Sequence, residues 1–132
     1  IVDEWMANDN GFEIRYVYKQ NGGMHTGHNK AYELIDTELN VCIDSDDFMP
    51  DDAVELIVNF WEENKDSNYS GIIALDVYKN GQVIGKELPN KKSTTLSGYY
   101  QNGGQGDKKL IYRTEIINKY PPYPQLHLSG SC

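Results

Sequence analysis

The run Leu39-Asn40-Val41-Cys42-Ile43 stops abruptly at Asp44-Ser45-Asp46-Asp47, and Pro50 with an apolar-rich segment follows at once. A short, nearly continuous apolar run is the mark of a strand buried on both faces of a parallel sheet. Pro50 suits the first turn of a helix, while Asp51, Asp52 and Glu55 suit its positive end. Val54, Leu56, Ile57, Val58, Phe60 and Trp61 give that helix a broad apolar face. A strand that runs into an acidic turn and then a helix is half of a βα unit.

The segments on either side extend the alternation. The opening IVDEWMANDNG reads as the tail of a helix, with Ile1, Val2, Trp5 and Met6 on one face and Asn-Gly after it. A chain that opens in this way is expected to be a piece of something longer. Phe12 to Tyr18 alternates as a strand does. The following loop carries Gly22, Gly23 and Gly27 and leads into a helix predicted near Thr26 to Ile35. Helix, strand, loop-helix, strand, helix is the order of an α/β domain.

The second half changes character. Two strand-like runs, Ile72 to Tyr78 and Gln82 to Glu87, meet at Asn80-Gly81, the strongest short hairpin signal a sequence offers. Residues 89–109 are polar and glycine-rich, a long loop with at most one short helix. Residues 110–124 read as a strand, a short helix from about Thr114 and a proline stop. The final QLHLSGSC has no assignable pattern, and no internal repeat is present.

A length of 132 residues suits one compact domain, and 39% hydrophobic residues can support a core. The formal charge of −8 argues against a nucleic-acid partner, which wants a basic face. A phosphorylated ligand stays compatible with it if a cation or local donors neutralise the acids. No apolar segment approaches the roughly 20 residues of a spanning helix, and no signal peptide is visible. Cys42 and Cys132 read as free thiols of a reducing compartment.

The acidic cluster admits several chemistries. The plainest is a solvated turn with helix-capping aspartates. Its position points further, because ligands of open sheets bind outside the carboxyl ends of the strands. Crowded carboxylates stay ionised only when a cation or donors offset them, and a hard divalent ion such as magnesium or manganese fits oxygen ligands. An EF-hand starting at Asp44 fails, since it needs glycine where Met49 stands and an oxygen ligand where Phe48 stands. An aspartyl-phosphate phosphatase would use Asp44 as nucleophile and Asp46 as acid/base, although Phe48 replaces its usual threonine or valine.

Taken together, KQNGGMHTGHNKAYE and LNVCIDSDDFMPDDAVELI resemble the middle of the family 2 glycosyltransferases, with their GT-A fold. The matching elements are the Asn21-Gly22-Gly23 loop, the Gly27-His28-Asn29 triplet on a helix, and Asp44-Ser45-Asp46 after a strand. The match is close over about Lys19 to Ile57. The resemblance implies a GT-A-like, Rossmann-related mixed sheet with flanking helices, here a partial domain with a β-hairpin in its second half. It further implies a donor and metal side over 1–66 and an acceptor side over 67–132.

The implied reaction transfers a sugar from a nucleotide-diphosphate donor, a UDP-sugar in the first instance, to an acceptor hydroxyl. The implied setting is bacterial cell-surface polysaccharide synthesis, with a carbohydrate or lipid-linked acceptor, in the cytoplasm or at the inner face of the membrane. Mn2+ or Mg2+ would bridge the donor diphosphate, with Asp46 its most direct ligand and Asp44 a ligand or a donor contact. Asn21, Gly23, His28 and Asn29 are the donor-binding positions; Lys30 is a further candidate that an exposed helix position explains as well. His28 stands where many relatives have arginine. Asp107 is the candidate base, with Asp76 behind it, and Asp47 is expected to cap the following turn. The base-binding strands of the family are expected upstream of residue 1, so the chain alone is expected to be inactive and to expose a sheet edge suited to homodimerisation. The rival from another class is a GT-A remnant that binds sugar or metal without turnover.

Overall fold

The computed structural model describes residues 1–65 and 68–124. The QLHLSGSC segment and Cys132 therefore lie outside the described residues, while Cys42 is a free, exposed thiol. The chain divides into two compact units. Among the described residues, one comprises Ile1–Leu34 with Pro122–Pro124, and the other comprises Ile35–Pro121.

The first unit holds α1 (Val2–Met6) and α2 (Met24–Tyr32). Helix α1 ends where asparagines take over its free carbonyls: Asn8 Nδ2 donates to Glu4 O at 3.0 Å and Asn10 Nδ2 to Trp5 O at 2.6 Å. Its apolar residues Ile1, Trp5 and Met6 are exposed. The strand expected over Phe12–Tyr18 is absent among the described residues, which form no ladder there. Alternation reports an amphipathic segment, but a strand also needs a neighbour to take its N–H and C=O groups. What ties the segment is Arg15, which donates to Leu34 O at 3.1 Å and pairs with Glu13 at 2.8 Å. Helix α2 starts two residues earlier than predicted, because Thr26 N–H and Oγ1 both reach back to Gly23 O.

The second unit is built on β1 (Leu39–Val41), α3 (Ala53–Asn64), β2 (Gly71–Leu75), α4 (Leu96–Gln101), β3 (Lys108–Arg113) and α5 (Thr114–Ile117). The sheet order is β1-β3-β2, with β3 antiparallel to both neighbours. Where a mixed sheet was expected, the three strands present pair only antiparallel. Strands β1 and β2 run the same way, joined through α3, but β3 inserts between them, so every hydrogen-bonded pair is antiparallel. The elements still alternate as α/β, in the manner of a split βαβ unit. The first strand is shorter than predicted and only half-buried, as an edge strand is, and Cys42 beyond it is exposed.

The core of this unit is small and centred on β3. Ile111 is 2% exposed, Trp61 4% and Tyr99 3%. Helix α3 turns inward only a narrow stripe, Ala53, Ile57, Trp61 and Asn64, and leaves Val54, Leu56, Val58 and Phe60 exposed on its flanks. The broad apolar face read from the sequence is thus only partly buried. Trp61 satisfies its indole N–H on Glu38 at 2.7 Å, and the Arg113 guanidinium lies 5.9 Å from the Trp61 ring centroid. Asn40 joins β1 to the start of α5 by donating to Thr114 Oγ1 at 3.0 Å.

The Asn80-Gly81 turn forms, but not as a two-residue loop between long arms. Tyr78 N–H donates to Gln82 O and Gly81 N–H to Tyr78 O, both at 2.8 Å, and Gly81 takes φ +83°. This is a three-residue loop closed by a left-handed glycine. Only the Val77–Val83 bridge pairs the arms. The first arm is claimed by β3, and the second leaves to meet residue 105, where Lys86 N–H donates to Gln105 O at 3.1 Å. At that crossing Gly85 and Gly106 lie so close that a Cβ on either would sit within 2.5 Å of the other segment's backbone.

Candidate functional site

Topology gathers the chemistry of the second unit at one end of its sheet. Because β1 and β2 run together and β3 runs against them, the carboxyl ends of β1 and β2 share that end with the start of β3. The acidic loop Asp44–Asp47 leaves β1 there. Asp76 follows β2, and Asp107 precedes β3, one step beyond the last register pair, Leu75 with Lys108.

The loop turns tightly, with Asp47 N–H donating to Asp44 O at 3.0 Å. Asp44, Asp46 and Asp47 are exposed. Asp47 does not cap the following helix. Its Oδ2 accepts from Lys109 Nζ at 3.0 Å, and Asp52, which holds the N-cap position of α3, makes no side-chain cap bond. Lys109 belongs to the same face of β3 as Ile111 and Arg113, two and four residues on. It is the face that meets Trp61 of α3, and the Lys109 side chain is only 21% exposed. Burial, the largest single influence, pulls the ammonium's pKa down. The hydrogen bond to Asp47 and the fields of Asp76, Asp47 and Asp44 together outweigh it, and the pKa is raised. A second lysine steadies the loop from the hairpin, with Lys79 Nζ 5.7 Å from the Phe48 ring centroid.

Sequence reasoning missed Lys109. The signal was available in the phase of the strand, since the two-residue repeat that turns Ile111 inward turns Lys109 the same way. Lys108, on the other face, donates to Ile84 O at 2.9 Å and to Gln105 O and Asp107 O at 3.1 Å each, which fixes the backbone beside Asp107. The Asp107 residue itself is exposed, and Asp76 is half-buried.

The remaining predicted positions lie in the first unit. Asn21 Oδ1 accepts from Gly23 N–H at 3.0 Å, closing an Asx turn at the head of α2. Gly23 takes φ +90°, a positive φ that glycine adopts without strain. His28 packs its ring against Tyr32 and Tyr123, with centroids 5.9 and 6.0 Å away. Asn29 is buried and uses both ends of its amide on one backbone: it donates to Tyr123 O at 2.9 Å and accepts from Tyr123 N–H at 2.8 Å. Lys30 pairs with Glu33 at 2.8 Å, as a surface helix lysine does.

No group of three or more histidine, cysteine or acidic side chains stands ready to hold a metal among the described residues. Asp44 and Asp46 are exposed carboxylates, and carboxylate oxygens are hard donors. Mg2+ is commonly held by one or two carboxylates together with substrate phosphate and water rather than by a protein cage. Away from this end, a cleft of about 170 Å3 lies beside the start of β2, between the last turn of α3 and residues 88–94.

Among the described residues no helix is long and apolar enough to cross a membrane. Comparison with curated proteins and with solved structures gives no match. The family model described as Glycosyl transferase family 2 matches residues 1–121, nearly the whole chain, including the Asn21–Asn29 segment, the acidic loop and β3. With an acidic loop at the carboxyl end of a strand and a family match of that extent, the chain belongs to glycosyltransferase family 2.

Proposed function

We propose that this chain carries the donor-diphosphate and acceptor-activating end of a metal-dependent glycosyltransferase that uses a nucleotide-diphosphate sugar, with a UDP-sugar the first donor to test. Family membership supports the transfer of a sugar from an activated donor to an acceptor. The single observation that carries the finer reading is the convergence of the Asp44–Asp47 loop, Asp76 and Asp107 at one end of the sheet. Family membership, rather than this placement, argues against the phosphatase reading.

In this reading Asp46 and Asp44 hold Mn2+ or Mg2+, with Asp44 also able to meet the donor's ribose or sugar. When bound, the ion supplies electrostatic stabilisation of the leaving diphosphate. Asp107 takes the proton of the acceptor hydroxyl. The acceptor oxygen forms its bond to the anomeric carbon as the bond to the diphosphate breaks, and the electron pair leaves with the diphosphate. Asn21, Gly23, His28 and Asn29 serve the donor side through the shape of the 21–29 segment. Asn29 acts by positioning, because its amide is already engaged. The setting we assign is cell-surface polysaccharide synthesis on a carbohydrate or lipid-linked acceptor, in the cytoplasm or peripherally at the membrane.

Calorimetry with Mn2+ and UDP tests the assignment. Wild type is expected to release heat that Asp46→Ala abolishes, and equal heats would remove Asp46 from the site. Binding of UDP-sugars with Mn2+ but no hydrolysis or transfer would favour a non-catalytic remnant.

A further inference from the structure

The acidic loop already contains a cation. Lys109 Nζ sits 3.0 Å from Asp47 Oδ2, and its side chain is mostly buried on the central strand, so the ammonium cannot swing away as a surface lysine can. Asp44 and Asp76 add their fields at the same place. A carboxylate held by a fixed ammonium is poorly free to coordinate a metal, and the fixed positive charge repels a second cation.

We propose that Lys109 is a positioning residue that reserves Asp47, keeping it out of the cation's ligands and holding the loop's affinity for a divalent ion low until a diphosphate arrives. The inference rests on the reading of Asp44 and Asp46 as the metal carboxylates. With only those two, the ion lacks enough protein oxygens to bind firmly alone, and the diphosphate completes its shell. Cation and donor then enter as one unit.

The test is a titration of Mn2+, alone and with UDP, into the full chain. Wild type is expected to bind Mn2+ weakly alone and much more tightly with UDP. Lys109→Met, which keeps the stem and removes the charge, is expected to bind Mn2+ alone on the order of tenfold more tightly. It should also show a smaller gain from UDP. Adding Asp47→Asn to that variant should cancel the increase, and Lys109→Arg should behave as wild type.

Unchanged or weaker Mn2+ binding by Lys109→Met, with UDP-dependent binding intact, would overturn the inference. Should that variant fail to fold, Asp47→Asn alone decides. It is expected to keep UDP-dependent Mn2+ binding, whereas loss as complete as in Asp46→Ala would make Asp47 a ligand. If neither wild type nor Lys109→Met binds Mn2+ with or without UDP, the metal assignment falls and the role of Lys109 falls with it. A loss confined to the Lys109 comparison leaves the metal assignment standing.

Discussion

Single side chains in this protein divide into those that hold the backbone and those left open for chemistry. Asn29 belongs to the first kind. Replacing it by Ala removes two hydrogen bonds and leaves the N–H and C=O of Tyr123 without their partner. A loss of about 1–3 kcal/mol is expected from thermal or urea unfolding, and donor binding should weaken only as far as the 21–29 segment loosens. Asp46 belongs to the second kind. Asp107→Asn, if Asp107 is the base, should lower kcat by roughly 10²–10⁴-fold with little change in donor affinity, measured by product formation. Lys109 links the two kinds. Its pKa is raised in the folded chain, so its pairing contributes fully below the ordinary lysine pKa of 10.5 and is lost as pH rises through the higher folded value. Alkaline unfolding of wild type and Lys109→Met should therefore converge above that range and differ below it.

At the level of elements, local signals were legible wherever the chain supplies its own partners. The helix at Thr114, the proline stop and the Asn-Gly turn are all set within a few residues. Strand partners are not local. The same Ile72–Tyr78 run that promised a hairpin arm pairs over five residues with the distant β3 and through one bridge with the arm beyond Gly81. The departure of that arm depends on the glycine crossing. Gly106→Ala would force a Cβ to 2.5 Å from Ile84 O at a φ of +78°. A destabilisation of about 1–3 kcal/mol is expected, seen as a lower melting temperature, with Gly85→Ala alike and Gly27→Ala, which meets nothing, nearly neutral.

For the whole molecule, β1 and β2 are the outer strands, and each carries an unpaired edge among the described residues. An open edge is a template for a second copy. Light scattering after size exclusion is expected to report a mass above 15.0 kDa that grows with concentration. Ile73→Lys on β2 should reduce it, and a monomer at every concentration would dismiss the edge as an interface.

The acidic loop, the helix after it and the glycine loop could be read directly from the residues, since charge crowding, proline and glycine act through sterics and electrostatics of neighbouring positions. The order of the strands and the place of Lys109 could not. Antiparallel insertion of β3 between β1 and β2 depends on which distant segments satisfy each other's backbone groups. That same insertion carries an ammonium 62 residues along the chain to Asp47. Hydrogen-bond pairing across the sheet, rather than any pattern along the sequence, therefore decided which of the clustered aspartates is already neutralised and which remain open.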